Sequence, residues 1–144
     1  MKIVPLALVD VKYIAHRLAQ EILNFDEPIP DFSTRFPDRL ESCLSAPFQS
    51  FGKRDFYKTL IDKAAILFYL MIKNHPFQNG NKRVAVTTLL VFLHQNEKWV
   101  SMHPQDLYKF AVWVAGSSPT AKDGVILSIK QILEKDLVKR DSVK

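Results

Sequence analysis

His75-Pro76-Phe77-Gln78-Asn79-Gly80-Asn81-Lys82-Arg83 joins two strongly apolar segments, and the reading of this junction decides the fold. Before it, Tyr57, Leu60, Ile61, Ala64, Ala65, Phe68, Met71 and Ile72 recur at the three-and-four spacing of one helix face, in a pattern that starts near Asp55. Pro76 ends that helix, because the residue before a proline is pushed out of the α region, and that residue is His75. After the junction, Val84 to Leu93 is apolar nearly all round, which predicts a helix enclosed by others. The β-branched Val84, Val86, Thr87 and Thr88 make a buried strand the competing reading, and the length of the run decides for helix.

Working outward, the dominant period stays helical. Val11, Ile14, Ala15, Leu18, Ile22 and Phe25 lie near one face, with Asp10 as N-cap. Pro28 and Pro30 stop that helix. The stretch from Phe32 to Arg54 carries Pro37, Pro47 and Gly52, with an apolar helical turn at Leu40 to Leu44; it reads mostly as connection, with a mobile segment from Ala46 to Arg54. Beyond Leu93, Gln95 to Lys98 reads as a turn and Trp99-Val100 as a short extended piece. Pro104 opens a helix through Leu107, Phe110, Ala111 and Val114 that stops at Gly116, and a last helix after Pro119 runs through Val125, Ile129, Leu133 and Leu137. The expected fold is all-α: one domain over residues 1–144, a compact bundle of about six helices with a short flap before the motif helix.

Composition narrows the function classes. A chain of 144 residues with 47% hydrophobic content can bury its own core. No uncharged apolar run is long enough for a bilayer, and Pro5 and Asp10 interrupt the N-terminal apolar stretch, so a soluble, cytoplasmic protein with no membrane partner is expected. Cys43 is the single cysteine, which excludes an internal disulfide and thiol-pair redox chemistry. The net charge of +5 suggests an anionic partner. Its basic residues are scattered and not interleaved with aromatics, so nucleic acid is not the expected one; the tail from Lys139 to Lys144 reads as a fraying helix end. His16, His94 and His103 lack the paired spacing of a helix-borne zinc site.

The junction carries the chemistry. Gly80 tolerates positive φ and lets a phosphate approach the backbone, and Asn79 and Asn81 are the non-glycine residues that best tolerate left-handed geometry. Lys82 and Arg83 fall in the first turn of the next helix, where cations oppose the macrodipole unless an anion compensates. His75 brings an imidazole that can serve as a general base towards a hydroxyl. Asn-Gly-Asn is also ordinary turn chemistry, Phe77 can be a core plug, and a lone histidine is usually packed or solvated, so on the residues alone both readings stay open.

His75 to Arg83 closely resembles the Fic/Doc signature, His-x-Phe-x-[Asp/Glu/Asn]-[Gly/Ala]-Asn-[Gly/Lys]-Arg, whose members transfer a phosphate-containing group from a nucleotide to a protein hydroxyl. Lys82, where most Fic enzymes have glycine, is similar to the Doc, or death-on-curing, branch. So are Arg39-Leu40-Glu41-Ser42, Ala46-Pro47, Phe51-Gly52, Lys63-Ala64-Ala65 and Lys73-Asn74, and the likeness covers roughly Asp10 to Gly116. The resemblance implies an ATP-dependent phosphotransferase toxin that acts on the translation machinery, with elongation factor Tu as the implied target and a separate small antitoxin as partner. No Ser/Thr-x-x-x-Glu-Gly/Asn inhibitory pattern occurs in the chain.

Carried onto this sequence, the resemblance makes His75 the catalytic base and Phe77 the loop anchor. Gly80, Asn81, Lys82 and Arg83 become the phosphate and nucleotide site, and Ala46, Pro47, Phe48, Gln49, Ser50, Phe51 and Gly52 the target-binding flap. Asn79 departs from the pattern. Active Fic enzymes usually carry an acidic residue there for magnesium, and Asn79 offers only a carbonyl oxygen, so the expected Mg2+ contact is weak. The alternatives are AMP transfer and a catalytically silent module that binds nucleotide or an acidic protein.

Overall fold

A computed structural model describes residues 2–23 and 28–140. Phe25, Asp26, Glu27 and residues 141–144 of the basic tail lie outside the described residues. Six main helices dominate, as the all-α reading expects. The first, α1, is composite: an α-helical turn Leu8–Asp10, a π-helical stretch Val11–Ala15 and α-helical His16–Ile22. It is followed by α2 (Pro37–Ser45), α3 (Leu60–Lys73), α4 (Asn81–Gln95), α5 (Pro104–Ala115) and α6 (Lys122–Asp136).

The apolar run after the junction is indeed the centre of the molecule. Every residue of α4 from Arg83 to Leu93 is buried, and α1, α3 and α5 pack around it. One hydrophobic cluster extends from Leu6 to Leu133 through all six helices. Asn96, just beyond α4, fastens the N-terminal segment to this core: the Val4 N–H donates to Asn96 Oδ1 at 2.7 Å, and Asn96 Nδ2 donates to the carbonyls of Val4 and Phe92. Cys43 is fully buried within the cluster, and desolvation pushes its thiol up to about 11. Iodoacetamide at pH 8 should therefore leave Cys43 unmodified in the native protein and alkylate it in urea, as intact mass would record.

Several boundaries differ from the sequence reading, each for a local physical reason. Asp10 is not the N-cap of the first helix but its third residue, and its carboxylate accepts the Ala7 N–H at 2.9 Å. The helix before the junction begins at Leu60, not near Asp55, because Thr59 and Asp62 form a reciprocal capping box that starts it there. Pro37 opens a full nine-residue α2 where a single turn was expected.

Among the described residues two small sheets complete the fold. Ser50–Phe51 (β1) and Arg54–Asp55 (β2) form an antiparallel hairpin inside the stretch read as connection. Its two-residue turn, Gly52-Lys53, has positive φ at both positions (56° and 69°), the backbone that matches the twist of paired strands. Trp99-Val100 does lie in a short strand, β3 (Lys98–Val100). Its partner is Leu137–Lys139 (β4), so Leu137 belongs to a strand and not to the last helix, and Lys139 does not lie in a fraying helix end. Arg140 continues the tie, with its guanidinium donating to the His94 carbonyl at 2.9 Å.

Candidate functional site

The junction between α3 and α4 folds around Asn81. The Phe77 N–H donates to Asn81 Oδ1 and Asn81 Nδ2 donates to the Phe77 carbonyl, both at 2.8 Å, so one buried amide pairs with the backbone of Phe77 as a neighbouring strand would. The same Nδ2 stands 3.5 Å from His75 Nδ1. Asparagine supplies a donor and an acceptor on one planar group, and no other short side chain can satisfy both groups of one peptide residue in this way. The Asn81 side chain is thus spent on holding the loop, and what it presents to a ligand is its backbone amide at the start of α4.

His75 is exposed and has φ +48°. Asn74 caps α3, which puts His75 at the next position, where helices commonly place glycine in the left-handed conformation. Leaving the right-handed region ahead of Pro76 therefore takes His75 into left-handed backbone. Arg39, stacked on Phe36 with 4.2 Å from its guanidinium carbon to the ring centroid, donates to the His75 carbonyl at 3.3 Å. The Phe36 N–H donates to the Pro76 carbonyl at 2.8 Å. These two contacts tie the start of α2 to the junction.

Phe77 is buried between His16 and Phe32, with ring centroids at 5.5 and 5.9 Å. The buried His16 closes the cluster, with Nε2 3.0 Å from the Pro30 carbonyl; desolvation holds this imidazole below its ordinary value.

Gly80 caps α4 with φ +76°, and of Asn79, Gly80 and Asn81 it alone adopts positive φ. Its N–H donates to Asn79 Oδ1 at 2.8 Å, so this amide is turned to its neighbour. The anion-binding groups the backbone retains are the first-turn N–H groups of α4, at the positive end of a fifteen-residue helix. That first turn contains no acidic residue, and Lys82 and Arg83 sit within it. Lys82 is half-buried, and Arg83 is buried against Gly80. A Cβ at Gly80 would stand 2.9 Å from Ile29 Cγ1 and 3.4 Å from Arg83 Nη2. Gly80→Ala should cost about 2 kcal/mol in urea unfolding, from left-handed strain plus this crowding.

The donor set at Asn79 does not build a resident metal site. It offers one neutral oxygen that already accepts the Gly80 amide, and among the described residues no three His, Cys, Asp or Glu side chains cluster to hold an ion.

Of the segment expected to be the flap, Ala46–Phe48 forms a 3-10 turn, Gln49 leads into the hairpin, and Ser50, Phe51 and Gly52 lie in it. Phe51 is 79% exposed. The group that holds the segment down is Lys63, a residue of α3 only 2% exposed. Its ammonium donates to the carbonyls of Pro47 (3.0 Å) and Tyr57, pairs with Asp55 at 3.4 Å, and lies 4.8 Å from the centroid of the Phe48 ring. One buried cation thereby fastens both ends of the hairpin to the helix that leads to His75. The sequence held a signal for it: Lys63 stands three residues after Leu60 and four before Leu67, on the apolar stripe where an exposed lysine would not sit.

Among the described residues no helix is long and apolar enough to cross a membrane. No curated protein and no solved structure matches the chain. The family model of the Fic/DOC family matches residues 5–93, from the segment before α1 to the end of the buried run of α4 and including the whole junction. The chain belongs to the Fic/DOC family, whose members are generally transferases that act on proteins.

Proposed function

We propose that this protein is a Doc-type toxin that transfers the terminal phosphoryl group of ATP to a protein hydroxyl. The observation that carries the reading is the coupling of the imidazole to the phosphate-binding helix end: Asn81 opens α4, brackets Phe77 and faces His75 Nδ1. The Asn81 amide beside Nδ1 orients the exposed imidazole, whose unprotonated ring nitrogen takes the proton of the acceptor hydroxyl. The hydroxyl oxygen bonds to the terminal phosphorus as its proton passes to His75; the bridging bond to the β-phosphate breaks and ADP leaves. Lys82, Arg83 and the first-turn amides of α4 offset the charge spread over the transferring oxygens, where positioning and electrostatics dominate catalysis.

The hairpin held by Lys63 is the flap for the target chain, positioned by its attachment to α3. Magnesium supplied with the nucleotide would offset phosphate charge, and the Asn79 carbonyl oxygen would be its protein ligand, a weak one. Lys82 supports phosphoryl over AMP transfer through the likeness to the Doc branch. By the same likeness the target is a protein of the translation machinery, elongation factor Tu first, in the cytoplasm, and a separate small antitoxin silences the site.

The test uses ATP labelled on the terminal or on the α-phosphate, incubated with the protein and a bacterial translation extract. Protein-bound label from the terminal phosphate alone is the expected result. Label from the α-phosphate would establish AMP transfer instead, and no label from either, with ATP bound, would establish a silent module.

A further inference from the structure

A second basic site lies outside the junction. Lys12, Tyr13 and Arg17 of α1 face the turn Phe32–Thr34 and Arg35 across a polar cavity of about 240 Å3. Among the described residues its lining carries three cations against one carboxylate, Asp31, an excess of two positive charges. Asp31 is already engaged with the Ser33 N–H at 2.9 Å, which holds its carboxyl below the usual range and keeps it ionised. Neither Lys12, Arg17 nor Arg35 forms an ion pair among the described residues.

Two features show that this convergence is built. The π-helical stretch Val11–Ala15, closed by the His16 N–H on the Val11 carbonyl, is an uncommon element that recurs at functional sites. In a regular α-helix, residues five apart point about 140° away from each other. The wider π turn instead brings residues five apart onto one face, and Lys12 and Arg17 are five apart. Arg35 is the second feature. Its guanidinium stacks on Phe32, 4.4 Å from the ring centroid, and Nη1 donates to the Phe32 carbonyl at 3.3 Å, yet among the described residues its buried Nε has no partner. A buried guanidinium N–H without an acceptor costs free energy, and Arg35, half-buried, lines the cavity.

We infer that this cavity is an anion site for a phosphate group, separate from the α4 helix end. The chemistry fits a tetrahedral oxyanion: two guanidinium groups and an ammonium for charge, with the Tyr13 and Ser33 hydroxyls as further donors. The volume falls below the roughly 300 Å3 at which pockets begin to enclose whole drug-sized ligands, so the site takes a free phosphate or the phosphate end of a small ester. The floor residue Phe32 also touches Phe77, so the bound anion lies one ring away from the motif loop. The inference stands independently of the proposed transfer activity.

Titration of the 15N-labelled full chain at low ionic strength tests it, with orthophosphate and AMP as separate probes and chloride as the control. The expected result is saturable shifting of the Lys12, Ser33 and Arg35 amides, with a midpoint of about 1 mM or below for at least one probe. Orthophosphate acting as well as AMP identifies a free-phosphate site, and AMP alone identifies an ester site. Arg17→Gln, on an exposed position that leaves the fold intact, should weaken these shifts about tenfold while those of residues 79–83 are unchanged. Absent or non-saturating shifts at the cavity, or shifts indifferent to Arg17→Gln, would overturn the inference.

Discussion

Lys63→Met is expected to release the flap while leaving the helical core folded. Methionine fills most of the volume of the lysine stem, so the packing of α3 survives, but the carbonyls of Pro47 and Tyr57 and the carboxylate of Asp55 lose their shared donor. Tyr57 and Asp55 can turn to water, whereas Pro47 is buried and cannot do so without moving. The cheapest relief is for the hairpin to lift away. Unfolding stability should fall by about 2 kcal/mol, within the range for orphaned buried acceptors. Hydrogen exchange at the Phe56 amide, which donates to the Gln49 carbonyl across the hairpin base, should quicken at least tenfold. Transfer to a protein target should drop about 100-fold, with ATP affinity unchanged, because the lesion lies in the segment proposed to present the target. Unchanged protection of Phe56 would mean that the hairpin stands without Lys63.

Asn81→Ala attacks the other side of the site. It strips the bracket from Phe77 and leaves a buried N–H and a buried carbonyl unpaired, at a cost of about 3 kcal/mol in urea unfolding. The loop then loses its register relative to α4, and His75 loses the donor facing Nδ1. Transfer should fall at least 100-fold. Asn81→Asp separates the two parts of the argument, since its carboxylate still accepts the Phe77 N–H but repels the Phe77 carbonyl and an incoming phosphate. It should recover part of the stability and none of the activity. If Asn81→Ala kept wild-type stability, the bracket would not be what holds the loop.

The parts of this molecule that depend on local pattern were legible in the sequence. The apolar stripe of α3 and the all-round apolar run of α4 follow directly from residue spacing, and Pro76 marks the break between them. The left-handed backbone at Gly80 was also readable, because glycine is the residue that accepts it without strain. What could not be read rests on contacts distant in sequence. The hairpin strands are two residues each, too short for a periodic signal, and they are held by Lys63 from a different element. Leu137 continues the helical spacing of α6 but pairs with Val100, a partner 37 residues earlier in the chain. The π stretch in α1 has no composition of its own, and its effect on Lys12 and Arg17 emerges only in three dimensions. The sequence points to the backbone of Asn81, whereas its side chain does the organising, because the acceptor and donor it satisfies belong to a loop whose path the sequence does not specify.

The most direct test of the central account compares wild type with His75→Ala, measuring ATP binding and transfer of the terminal phosphate side by side. His75 is exposed, so its removal should leave the fold and the phosphate site proposed at the start of α4 in place. The account predicts ATP affinity within about twofold of wild type and transfer lower by at least 1,000-fold, the loss of a general base together with its placement of the hydroxyl. Transfer by His75→Ala at the wild-type rate, with the same labelled product, would contradict it.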